Sequence, residues 1–145
     1  METVFKHILV PVDFTEKNTA AIAAAAQLAR QCDARISLLH VIEFIDFPDD
    51  DEITSFYDKL RDRSESELEK LLTLFDEDEF DVTVETIINH RSKGIVSYAV
   101  DNDVDLIVMS SHPIDPKRSE GWGTISYQVS AVCHCSIMLV KQPRD

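Results

Sequence analysis

Residues 104–111 read VDLIVMSS, with four consecutive apolar side chains, Leu106 to Met109, closed by two serines. A run that does not alternate has no face to offer water, so it reads as a strand buried on both sides, of the kind found inside parallel sheets covered by helices. The neighbouring segments repeat that logic. HILVPVD (His7 to Asp13) is a second short apolar run, with Pro11 near its end, and RISLLHVIE (Arg35 to Glu43) is a third. DVTVETII (Asp81 to Ile88) alternates polar and apolar residues, which predicts an outer, less buried strand, and CSIMLVK (Cys135 to Lys141) closes the series.

Helical patterns fill the gaps. Glu16 to Cys32 is rich in alanine, with Ile22, Ala25, Ala29 and Cys32 on one stripe, so a slim helix can lie close to a sheet; Thr15 is placed to cap it. Ile53 to Phe75 predicts a long charged helix with Leu60, Leu68, Leu71, Leu72 and Phe75 on its inner face. A third helix runs through Ile95, Tyr98, Ala99 and Val100, and a fourth over Gly123 to Val132. Strands alternating with helices imply parallel pairing and right-handed crossovers, hence an α/β fold: a three-layer, doubly wound sandwich with five parallel strands.

At 145 residues with 44% apolar content the chain suits one domain, residues 1–145. Fourteen Lys and Arg face 27 Asp and Glu, and the resulting formal charge of −13 opposes nucleic acid and anionic lipid as partners. The acidic clusters Asp49 to Glu52 and Asp76 to Glu79 lack the ligand spacing and turn glycine of a calcium loop. No apolar run reaches the roughly 20 residues of a membrane helix, and the first residues do not resemble a signal peptide, so the expected location is cytoplasmic, without membrane insertion. Cys32, Cys133 and Cys135 read as free thiols in a reducing compartment; two cysteines one residue apart are poorly spaced for one tetrahedral zinc.

Parallel sheets bind ligands beyond the carboxyl ends of their strands, where the winding reverses. The first and fourth strands end in Asp13 and in Ser110-Ser111; if they are neighbours, these ends face one crevice. The loop that follows, HPIDPKRSEGWG, leads to Thr124-Ile125-Ser126, where a helix start offers unpaired N–H groups, the positive end of its dipole and two hydroxyls for a phosphate. Lys117 and Arg118 add positive charge, opposed by Asp115 and Glu120. Trp122 is either a lid or an anchor of the loop. His112 follows two serines, but there is no G-x-S-x-G elbow and no orienting acid, so no catalytic residue is assigned. His7, His40 and His134 lie on or beside apolar strands and read as structural.

The segments ILVPVDFT, HVIE, DLIVMSSH and CSIMLVK, in that order, resemble the universal stress protein family over nearly the whole chain. The resemblance implies a sheet of order 3-2-1-4-5, of the adenine nucleotide alpha hydrolase-like kind, in a protein that is usually dimeric. Nucleotide-binding members carry G-x2-G-x9-G-[ST] after the fourth strand. Here the spacing is kept, but Ser110 and Pro113 stand at the first two glycines, while Gly123 and Thr124 match the last pair. Pro113 removes a backbone N–H and holds φ near −65°; Ser110 adds a side chain together with a hydroxyl donor. The residues implied at an adenine nucleotide site, ATP or AMP, are Pro11, Val12, Asp13, Val41, Ser110, Ser111, His112, Pro113, Gly123, Thr124, Ile125 and Ser126. Asp13 is read either as reaching a nucleotide's Mg²⁺ or ribose, or as capping the turn into the first helix. Val41 lies near the base by resemblance and is a plain strand residue when read alone. Asn89-His90-Arg91 replaces a glycine turn before the third helix, and His90 or Arg91 is within reach of a ligand.

Two functions follow. One is a stress-response or regulatory protein that binds adenine nucleotide with the help of Mg²⁺ and meets an unidentified protein partner. The other is a homodimeric regulatory module that does not bind ATP. In both, pairing of the last strand, Ser136 to Lys141, with its twin covers an exposed edge. An ATP-hydrolysing enzyme lacks a positioned base, and a receiver or dinucleotide-binding domain lacks its motif: the third strand ends in Ile88-Asn89, and no G-x-G-x-x-G follows the first.

Overall fold

In the computed structural model, residues 4–46, 51–111 and 124–141 are described. They form β1 (His7–Pro11), α1 (Asn18–Cys32), β2 (Arg35–Glu43), α2 (Asp51–Leu72), β3 (Val82–Asn89), α3 (Arg91–Asp101), β4 (Leu106–Ser111), α4 (Ile125–Val132) and β5 (Ser136–Lys141). The five strands make one parallel sheet of order β3-β2-β1-β4-β5. This is the doubly wound order the resemblance implied. His112, Pro113 and Gly123, with the rest of that loop, lie outside the described residues.

The two-residue period of the strands sorts the core into two layers. Ile8, Val10, Ile36, Leu38, Leu106 and Val108 point to one face, where Ala21, Ile22, Ala25 and Ala29 of α1 and Leu68 of α2 cover them. Leu9, Leu39, Val41, Ile107 and Met109 point to the other, beneath Ile95 and Ala99 of α3 and Val129 of α4. The continuous runs in β1, β2 and β4 are explained by this double covering. β3 is an outer strand, as its alternation predicted, and only Thr86 within it is buried.

The α1 boundary differs from expectation. Thr15 does not cap the helix: the N-cap is Lys17, which has no side-chain capping bond, and α1 begins at Asn18. Thr15 instead donates its N–H (3.0 Å) and its hydroxyl (2.6 Å) to Oδ1 of Asp13, closing a turn in which Phe14 takes φ 65°. Asn18 closes the same turn from the other side, accepting the Asp13 N–H on Oδ1 at 3.0 Å. A hydroxyl that satisfies the preceding carboxylate is not available to the helix that follows.

The histidines on the strands are structural, as expected. His7 is buried; its Nδ1–H donates to the Asn102 carbonyl at 2.9 Å and its Nε2 accepts from the Ser37 hydroxyl at 2.7 Å. Burial pushes its pKa down, keeping the ring neutral. His40 donates from Nδ1 to the Val12 carbonyl at 2.8 Å and lies against Phe14, with ring centroids 4.4 Å apart. Its pKa is lowered as well, first by burial and also by the charge of Arg91.

Candidate functional site

β1 and β4 are paired only through Ile8↔Leu106 and Leu9↔Ile107, whereas β1 stays paired with β2 as far as Pro11↔Leu39. The cause lies in the sequence. Amides of a central parallel strand alternate between its two neighbours, and the Val12 N–H donates to Leu39 of β2 at 2.8 Å. The amide that Pro11 lacks therefore falls on the β4 side, and no ladder bond holds the strands together there. They part, and a cleft of about 160 Å³ opens between their carboxyl ends.

Nine of the twelve sequence-derived residues line this cleft: Pro11, Val12, Asp13, Val41, Ser110, Ser111, Thr124, Ile125 and Ser126. The other three, His112, Pro113 and Gly123, are the ones outside the described residues. Its apolar floor consists of Leu39, Val41, Ile95 and Met109, and its polar rim adds Lys17, Asn18 and Arg91. Of these, Leu39, Ile95 and Met109 read from sequence as ordinary core. Lys17 carried a usable signal: a cation at a helix start opposes the macrodipole and needs a reason to be there.

The local contacts assign each group its capacity. Thr124 accepts the Tyr127 N–H at 3.3 Å and so caps α4, while its hydroxyl lies 3.3 Å from that of Ser126, so that one proton of the pair joins the two and the other is left to donate. Ser110, expected to offer a hydroxyl to a ligand, instead donates it to the Lys17 carbonyl, which ties the end of β4 to the start of α1. Gly94 of α3 sits so close to the sheet that a Cβ there would lie 3.1 Å from Val41 Cγ1 and from Asn89 Cβ. That approach brings Arg91, at the start of α3, to the rim; its N–H donates to Glu43 at 3.2 Å.

Asp13 is engaged in the turn. Burial is the largest single influence on its pKa and acts upward, but the hydrogen bonds from Thr15 and the charges of Lys17 and Arg91 together hold it below the usual carboxylate range. The expected Mg²⁺ contact fits poorly. Among the described lining residues Asp13 is the one carboxylate, its Oδ1 already accepts two hydrogen bonds, and two cations stand near it. Among the described residues no three His, Cys, Asp or Glu side chains are grouped to hold a metal, the Cys133–Cys135 region included.

The sequence profile of the universal stress protein family matches residues 5–141. The chain belongs to that family. Among its relatives, a universal stress protein of Methanocaldococcus jannaschii, MJ0531, is 23% identical over 99% of this chain and 86% of its own length. YxiE of Bacillus subtilis, also a universal stress protein, is 27% identical over 94% of this chain and 99% of its own. The solved structure of the protein MJ0577 superposes with a TM-score of 0.78 at 24% identity, covering 98% of this chain and 99% of that one. Two family members share the fold and were solved with nucleotides. One, with cAMP, has a TM-score of 0.62 at 15% identity, covering 95% of this chain and 98% of that one. The other, from Archaeoglobus fulgidus with dAMP, has a TM-score of 0.59 at 16% identity over 94% and 98%.

Proposed function

We propose that this universal stress protein is a cytoplasmic regulatory protein, not an enzyme, that binds an adenine nucleotide, ATP or AMP, in the cleft between β1 and β4. The observation that carries the reading is convergence. Segments far apart in the chain bring an apolar floor, a ring of polar groups and the amides that open α4 to one hollow at the switch point of the sheet. Leu39, Val41 and Met109 offer a base an apolar surface, while Thr124, Ser126 and the α4 amides suit a phosphate. That two family members were solved with cAMP and dAMP supports the choice of adenine. Among the described residues no helix is long and apolar enough to cross a membrane, in keeping with a cytoplasmic role.

A route from ligand to surface is short. Ser110 and Ser111 pair with Val140 and Lys141 of β5, the edge strand, on which Met138 and Leu139 are exposed. We place the homodimer contact on Ser136–Lys141, where a second copy satisfies the free edge, so that occupancy of the cleft changes the surface met by a protein partner. A Leu139→Glu variant is expected to sediment as a monomer.

Calorimetric titration with ATP, AMP and cyclic AMP tests the ligand. Heat with at least one of them is expected; none with any at millimolar concentration removes the nucleotide reading.

A further inference from the structure

The helix starts around the cleft depart from the ordinary distribution of charge. Negative side chains are favoured in a helix's first turn and cations disfavoured there. α2, which contributes nothing to the cleft, follows the rule with Asp51 and Glu52. The three helices that open on the cleft do not. α1, α3 and α4 have no acid in the first turn, and α1 and α3 place a cation there, Lys17 as N-cap and Arg91 as first residue. Both cations line the cleft. At α1 and α3 the cation works against the helix dipole, and the two concentrate positive potential at one spot.

Asp13 lines the same cleft as these cations, and its Oδ1 is closed into the Thr15 turn. The Lys17 carbonyl accepts the Ser110 hydroxyl, so the residue standing at the family's first loop glycine fixes the backbone from which Lys17 reaches the cleft. Across the cleft, close packing of Gly94 on Val41 seats the start of α3, and with it Arg91.

Building on the nucleotide reading, we infer that Lys17 and Arg91 do the work otherwise given to a divalent cation, so that the cleft takes a nucleoside monophosphate without metal. Two cations against one engaged carboxylate leave a single formal positive charge among the described lining side chains, supplemented by the dipole ends of three helices. A phosphomonoester carries about −1.5 to −2 at neutral pH and suits that balance. A triphosphate without Mg²⁺ exceeds it. Asp13 then shapes the turn and spaces the cations, and coordinates nothing.

The test is calorimetry on the full chain with adenosine, AMP and ATP, in EDTA and in Mg²⁺. AMP is expected to bind equally in both buffers, within about twofold. Lys17→Gln and Arg91→Gln should each weaken AMP roughly tenfold, about what one charge-assisted contact supplies. The double variant should weaken it further, Lys17→Arg should restore most of the loss, and adenosine binding should be indifferent to all of these. Asp13→Asn, whose side chain still accepts the Thr15 bonds, should keep or tighten AMP binding; a metal ligand's loss would weaken it. AMP binding that needs Mg²⁺, or that ignores both cation substitutions, overturns the inference and leaves the nucleotide reading standing. Failure of adenosine, AMP and ATP alike overturns both.

Discussion

The two rims of the sheet use their polar residues in opposite ways. At the amino rim every polar group described above is answered from within. His7 is held between the Asn102 carbonyl and the Ser37 hydroxyl, and Asp105 receives the backbone N–H groups of Lys6 and His7 at 2.9 and 3.1 Å. At the carboxyl rim Lys17, Arg91, Thr124 and Ser126 face a hollow. The difference follows from the polarity of a parallel sheet, whose crossover helices all begin at the carboxyl rim. Their free amides and positive dipole ends gather there, and at the switch point, where α1 leaves to one face and α3 and α4 lie on the other, the described residues leave a cleft between them. Polar groups are thus buried and paired at one end of the strands, and half-buried or exposed around a cleft at the other.

Substitutions at the two rims should separate these roles, and the largest effect belongs to the amino rim. His7→Ala removes a buried ring and its hydrogen bonds to the Asn102 carbonyl and the Ser37 hydroxyl; we expect a loss of about 2–4 kcal/mol in denaturant unfolding. AMP affinity of the folded fraction should change less than twofold. Lys17→Gln should do the reverse, leaving stability within about 0.5 kcal/mol while weakening AMP. If His7→Ala abolished binding in a protein that still folds, the contrast between the rims would be wrong.

Acid comes next. His7 and His40 both have pKa values lowered in the folded protein, so the unfolded chain takes up protons first. Stability should therefore be fully present above about pH 6.5, the unfolded value, and decline as pH falls below it. Asp13, also lowered, adds a later loss as pH drops below about 4, where the unfolded carboxyl begins to hold its proton. Stability that rose between pH 6.5 and 5 would contradict the neutral assignment of both rings.

Gly94→Ala should cost about 1 kcal/mol net, because strain against Val41, Asn89 and Ile87 outweighs the better helix propensity of alanine. Its more telling effect is at the cleft: by pushing α3 off the sheet it should weaken AMP several-fold through Arg91, which a thermal melt and a titration on the same sample will separate. The smallest effect is a gain. The Thr86 hydroxyl on β3 is buried without a hydrogen-bond partner among the described residues, and Thr86→Val should stabilise by up to about 1 kcal/mol without touching binding.

The strands were legible because burial leaves a direct imprint on composition. VDLIVMSS and HILVPVD do not alternate, since helices cover both faces, and DVTVETII alternates because it lies at the edge. Nine cleft residues were found from sequence as well, through strand ends, a helix start and the family resemblance. Thr15 was misjudged because a hydroxyl next to both a carboxylate and a helix has two local partners, and chain position does not say which it takes. Lys17 was passed over since, in PVDFTEK, it looks like any solvated charge.

What the sequence by itself determined is the alternation of buried strands and amphipathic helices, and hence a doubly wound sheet with a binding rim: these depend on periodicity, which neighbouring residues encode together. Only the tertiary structure decided that Lys17 and Arg91 line the same cleft as Asp13, that the missing amide of Pro11 faces β4, and that Gly94 seats a helix on Val41. Those relations join segments distant in the chain, and they exist only once the sheet order has brought the starts of three helices to the same gap.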